Sequence, residues 1–140
     1  MRVYTLPLQA TARDIDANGH VNNIVYVQWM QEIAIAHADA VGCTAATTAA
    51  GCTWVARSHR IEYLRPAYAG DRILVQSWIV DETKKSSSPR RYRMVRESDG
   101  VVLAKGETLW VFVDMHSGRP RTIPPEVIDC FERVPEEEEP

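Results

Sequence analysis

The spacing of hydrophobic and polar positions changes period twice along the chain. Between Val3 and Arg13, Leu6, Leu8 and Ala10 share one face of an extended backbone. This predicts a strand, broken or edged at Pro7 because proline cannot donate to a sheet ladder. Farther on, Tyr26, Met30, Ile33, Ala34, His37 and Val41 follow the i, i+4, i+7, i+8, i+11, i+15 spacing of one helical face, with Gln28, Glu32 and Asp39 elsewhere. The predicted helix runs from Asn23 to Val41, about 28 Å at 1.5 Å per residue. Asn22 or Asn23 can cap its start through a side-chain oxygen, and Gly42 supplies the left-handed residue that commonly ends a helix. Ile24, Val25, Val27, Trp29 and Ile35 make the helix apolar on further sides, which predicts burial by a wrapping sheet.

The Ala- and Thr-rich segment from Cys43 to Gly51 fits a short helical turn or a loop. From Thr53 the period becomes two. Ile61 and Tyr63 alternate with Arg60 and Glu62, Ile73, Val75 and Ile79 with Gln76 and Trp78, and Tyr92, Met94 and Arg96 with Arg91 and Arg93. Turn chemistry separates these strands at residues 65–71, 84–89 and 98–100, the last an Asp-Gly hairpin signal. The final strand, Val101 to Asp114, contains Gly106, a place for a bulge, bend or close backbone approach. Pro124 to Phe131 can form a short helix, and residues 135–140 read as an acidic, solvated, disordered tail after a single domain over residues 1–134. The element order predicts an α+β domain with a mostly antiparallel sheet and one long central helix.

Composition narrows the function classes. A chain of 140 residues can bury a core without disulfides or metal. With 45% apolar and 25% charged residues and a net charge of −3, it gives no reason to expect nucleic acid as a partner. No segment reaches the roughly 18 apolar residues of a membrane span, and the start lacks the apolar run of a signal peptide, so a cytoplasmic protein without membrane insertion is expected. Cys43, Cys52 and Cys130 lack zinc or disulfide spacing and read as buried free thiols; His37 reads as a hydrogen-bonded core residue, and neither His59 nor His116 has metal-ligand spacing.

Chemistry concentrates where the long helix begins. Asp16, Asn18, His20, Asn22 and Asn23 crowd one short stretch before the first apolar helical residue. A helix start presents unpaired N–H groups and partial positive charge to its neighbours. A carboxylate there can act as nucleophile or general base, and helix N–H groups near Asn23 can stabilise an oxyanion. His20 can orient water or shuttle a proton, and Asn18 can hold the carboxylate or water by hydrogen bonding. On the residues alone, Asx-turns and helix caps are the commoner explanation for the same residue types.

The run Asp14-Ile15-Asp16-Ala17-Asn18-Gly19-His20-Val21-Asn22-Asn23-x-x-Tyr26 resembles the signature of hotdog-fold thioesterases related to 4-hydroxybenzoyl-CoA thioesterase. So do Glu62 to Asp71, Ala104-Lys105-Gly106, Phe112-Val113-Asp114 and Gly118 to Pro124. The resemblance implies a hotdog fold, a helix wrapped by a curved antiparallel sheet, with subunits paired edge to edge as a homodimer or homotetramer and active sites at the subunit interface. It implies hydrolysis of a fatty or aromatic acyl-CoA without a cofactor or metal, Asp16 being the catalytic carboxylate. Asp16-x-Asn18-x-His20-Val21-Asn22-Asn23 is also similar to the segment of acyl-carrier-protein thioesterases in which all three polar residues take part in catalysis, so acyl-ACP is the alternative substrate. A non-catalytic acyl-thioester or lipid-binding module on the same fold is the other alternative. Lys84, Lys85 and Arg90 lie at or just beyond the turn after the third strand, where related enzymes carry basic residues for the nucleotide phosphates of CoA.

Overall fold

The computed structural model describes residues 2–140. Five strands, β1 (Tyr4–Gln9), β2 (Cys52–Tyr63), β3 (Arg72–Ile79), β4 (Ser87–Arg96) and β5 (Val102–Asp114), form one sheet in the spatial order β1-β3-β4-β5-β2. Every pairing is antiparallel. Pro7 sits on β1, at one edge of the sheet, where its missing donor costs no ladder bond to a second neighbour. The opposite edge is β2, whose only partner among the described residues is β5, and most of its residues are exposed.

Three α-helices lie among the described residues, one long and two short. They are α1 (Asn23–Ala40), α2 (Cys43–Ala49) and α3 (Pro125–Ile128). Gly42 separates the first two at φ +82°, a conformation that glycine alone adopts without strain. The face of α1 that packs on the sheet carries Tyr26, Met30, Ile33 and His37, all within 2% of complete burial. Its other apolar side does not behave as predicted. Ile24 and Ile35 are 63% and 60% exposed, because sheet covers only one side of α1 within the chain.

Two apolar clusters hold the layers together. One joins α1 to the middle of the sheet through Met30, Ile33, Val75, Tyr92 and Met94. The second lies under α2 and α3 and includes Cys43, Ile79, Phe112, Val127 and Phe131. Gly106 sits in the first, and the structure assigns it a close approach rather than a bulge. A Cβ there would stand 3.1 Å from the sulfur of Met30 and 3.3 Å from the carbonyl oxygen of Arg60. Met30 is fully buried and the carbonyl belongs to the sheet, so neither can yield freely. Gly106→Val is therefore expected to lower stability by about 1–3 kcal/mol, the usual result of overpacking, read as a lower urea midpoint at unchanged slope.

The C-terminal acidic segment makes specific contacts with the sheet. Residues Glu136–Glu138 form a 3-10 turn, and the Glu139 carboxylate accepts hydrogen bonds from Trp78 Nε1 at 2.8 Å and Arg91 Nη1 at 2.6 Å. Trp78 and Arg91 are directly paired across β3 and β4, so the segment is fastened to the sheet. No helix among the described residues is long and apolar enough to cross a membrane.

Candidate active site

Local hydrogen bonds shape the polar stretch before α1 into a small closed loop. Ile15 and Val21 form an antiparallel bridge, Asp16 N donates to the His20 carbonyl at 2.9 Å, and Gly19 N donates to the Asp16 carbonyl at 3.0 Å. Gly19 takes φ +81° to close this turn. Val21 N donates to the carbonyl of the fully buried Ala67, anchoring the loop to residues 66–71. The neighbouring aspartates have different employment. Asp14 Oδ2 accepts from Thr11 N at 2.8 Å, and the Asp14 carbonyl accepts from Asn22 N, so this residue fixes the approach to the helix. Asp16 Oδ1 accepts from Asn18 N at 2.9 Å, an Asx-turn, while no described residue bonds to Oδ2. Asp16 is half-buried and thus keeps one carboxylate oxygen for an incoming group.

The remaining candidates divide by what they touch. Asn22 is a helix cap, its Oδ1 accepting from Ile24 N at 3.1 Å. Asn23 is the first residue of α1, and its N–H finds no acceptor among the described residues; its carbonyl accepts from the Tyr63 hydroxyl at 2.8 Å. That bond ties the start of α1 to the end of β2, a link not foreseen from the sequence. The Asn18 side chain is exposed and makes no hydrogen bond to the Asp16 carboxylate, only its backbone N–H doing so. His20 is exposed, its ring edge-on to Tyr68 at 5.5 Å, and it reaches Asp16 through main chain alone. Within one chain, the three polar side chains are close in sequence without forming a bonded triad.

Of the three residues expected at the CoA phosphates, Lys84 and Lys85 lie exposed between β3 and β4. Arg90 requires a correction. It is 3% exposed, because it shares the inward face of β4 with Tyr92 and Met94, and a buried side chain cannot meet a nucleotide phosphate at the surface. The alternation of this strand was the signal that located it.

A cavity of about 400 Å³ opens between α1, α2 and the β2 side of the sheet, within the usual range for small-ligand sites. Its walls are mainly apolar, with Ala34 and Ala38 from α1, Trp54 from β2 and Phe131 from the C-terminal segment. Burial pushes the Cys43 thiol above its ordinary value, so this cavity-lining cysteine stays protonated and is a poor nucleophile. Asp16 does not line the cavity. The α1 residues that do, Gln31 to Asp39, lie roughly 12–24 Å along the helix from Asn23 at 1.5 Å per residue.

Residues 10–131 match the family model described as the thioesterase-like superfamily. The chain belongs to this superfamily. A bifunctional L-carnitine dehydrogenase/betainyl-CoA thioesterase of Agrobacterium fabrum is 26% identical over 125 residues; the match covers 89% of this chain but only 25% of that protein. The chain thus spans about a quarter of the length of this curated relative. Among solved structures, the YbaW probable thioesterase of Escherichia coli superposes with a TM-score of 0.82 at 20% identity, covering 90% of this chain and 94% of the other. A mutant of 4-hydroxybenzoyl-CoA thioesterase complexed with 4-hydroxybenzoyl-CoA gives a TM-score of 0.82 at 18% identity, covering 94% and 100%. These likenesses place the antiparallel sheet and its helices in the hotdog architecture of the thioesterase-like superfamily.

Proposed function

We propose that this protein is an acyl-CoA thioesterase in which Asp16 is the catalytic carboxylate and each active site is shared by two copies of the chain. The observation that carries the reading is the Asp16 carboxylate, fixed through Oδ1 and unpartnered at Oδ2, just ahead of the capped start of α1. Oδ2 either attacks the thioester carbonyl or takes a proton from the attacking water. Either route builds negative charge on the carbonyl oxygen, to which the unpaired Asn23 N–H can donate and which the positive end of α1 favours. Water adds across the C–S bond, leaving the free acid and the CoA thiol. Exposed Lys84 and Lys85 are assigned to the nucleotide phosphates. His20 and Asn18, with side chains turned to solvent beside Asp16, are assigned to positioning water.

The distance between Asp16 and the cavity supports a shared site. β2 has an open edge, and Ile24 and Ile35 lie exposed on α1. A two-fold axis normal to the sheet at that edge would pair β2 with its own copy antiparallel and set the two α1 helices side by side in opposite directions. The start of one helix would then lie beside the far end of the other, bringing each Asp16 to the partner's cavity. The test is release of thiol from acyl-CoA esters of graded chain length, aliphatic and aromatic, and from the same acyl groups on acyl carrier protein. Absence of hydrolysis on every member would refute the reading.

A further inference from the structure

The cavity wall holds a charge that no described residue neutralises. Arg90 lines it, and no described carboxylate lies within ion-pair distance of the guanidinium. Arg90 Nη1 donates to Ser77 Oγ at 2.9 Å and meets His37 Nδ1 at 2.9 Å, and the guanidinium lies over the Phe131 ring at 5.3 Å from its centroid. None of these partners is anionic. Burial, and secondarily the charge of Arg90, pull the His37 imidazole down to about 3, so His37 is neutral and accepts this hydrogen bond through Nδ1. Burial also lowers Arg90, to about 10, which leaves it protonated at neutral pH. The cavity's one acidic residue, Asp39, is exposed and accepts from the Thr44 hydroxyl instead.

A guanidinium has five N–H donors, and both recorded bonds use Nη1. The donors on Nε and Nη2 have no partner among the described residues. Along the wall, Trp54 Nε1 donates to Thr47 Oγ1 at 3.0 Å and Ser88 Oγ pairs with Thr83 Oγ1 at 3.0 Å, while Trp110 Nε1 is buried without a hydrogen-bond partner among the described residues. A buried, unpaired charge typically costs several kcal/mol. Thr44, Thr48 and Thr53 at the cavity wall are exposed, whereas Arg90 is buried.

We propose that Arg90 binds a carboxylate at the far end of the acyl chain, so that the preferred substrates are ω-carboxyacyl thioesters, the CoA monoesters of dicarboxylic acids. This assignment rests on the thioesterase reading and adds the substrate class. The thioester remains at the mouth, where the partner's loop would present its carboxylate; the chain crosses the apolar walls, and the distal carboxylate takes up the free guanidinium donors. Hydrolysis then releases a dicarboxylic acid and the CoA thiol. A methyl-terminated chain would leave those donors unpaired, and a cationic chain end would be repelled.

The experiment compares kcat/KM for suberyl-CoA and octanoyl-CoA, which have equal chain length, in the wild type, Arg90→Met and Arg90→Gln, with folding checked by circular dichroism. A charge-assisted buried hydrogen bond corresponds to on the order of a ten- to hundredfold preference for suberyl-CoA in the wild type. Both variants are expected to lose that preference. Arg90→Gln keeps a polar group for Ser77 and His37, and it decides the matter if the methionine variant does not fold. Equal rates on both substrates in the wild type, or a preference that survives in a folded variant, would overturn the proposal. If neither ester is hydrolysed, the wider acyl-thioester panel decides the thioesterase reading, and calorimetric binding of the two esters to the wild type and Arg90→Gln still decides the role of Arg90: tighter suberyl-CoA binding lost on substitution supports it, and equal binding overturns it.

Discussion

Asp16→Asn is expected to lower kcat on the best acyl-CoA by a factor of about 10²–10⁴ without a comparable rise in KM, the scale set by losing a positioned acid–base or nucleophilic group. Asparagine preserves the structural work of the residue. Its amide oxygen can still accept from Asn18 N, so the Asx-turn, the bridge between Ile15 and Val21 and the cap at Asn22 all remain. The melting temperature should stay within a few degrees of wild type. Asp14→Asn provides the contrast, because the Asp14 carboxylate is already engaged with Thr11 and serves the chain path. It should affect stability more than kcat. If Asp16→Asn and wild type turn over equally, Asp16 is only a turn residue.

The second large effect concerns assembly. Ile24 and Ile35 are too exposed to stabilise the single chain, so the double substitution Ile24→Glu, Ile35→Glu should leave the isolated fold intact. In a two-fold interface each new carboxylate appears twice beside an apolar surface, and such desolvated like charges cost several kcal/mol. Light scattering should report a mass near the 15.8 kDa of one chain for the variant and about twice that for the wild type. The variant's specific activity should fall at least tenfold and rise again with protein concentration, a response that damage within one subunit would not give. Monomeric wild type with full activity would contradict the shared site.

Much of this architecture is legible in residue spacing. The long helix was expected over Asn23 to Val41 and is found over Asn23–Ala40, and Gly42 ends it as glycine's positive φ requires. The strand periods around Ile73 and Tyr92 mark β3 and β4 because a half-buried strand must alternate, and the final strand expected over Val101 to Asp114 is found as Val102–Asp114. Periodicity identifies an apolar face but not the element that covers it. Ile24 and Ile35 therefore read as buried although the described residues leave most of their surface open. Arg90 was misplaced for another reason. Proximity to Lys84 and Lys85 suggested a surface cluster, whereas its position two residues before Tyr92 sets it inside. The α2 helix was undecided because Ala and Thr pull in opposite directions on helix propensity. The cavity itself depends on contacts among α1, α2, β2 and the C-terminal segment, which no local pattern encodes.

Subunit mixing tests the shared site most directly. Asp16→Asn lacks the carboxylate but keeps the cavity; Ala38→Trp keeps the carboxylate but fills the cavity from α1. Each protein alone should be inactive. After exchange of subunits at equal concentrations, half the dimers are mixed, and each mixed dimer contains one site with both an intact Asp16 and an open cavity. Thiol release from acyl-CoA should then recover to about a quarter of the wild-type rate, the fraction expected for random pairing of two-fold dimers. A mixture shown to contain mixed dimers, yet as inactive as either parent, would contradict the account.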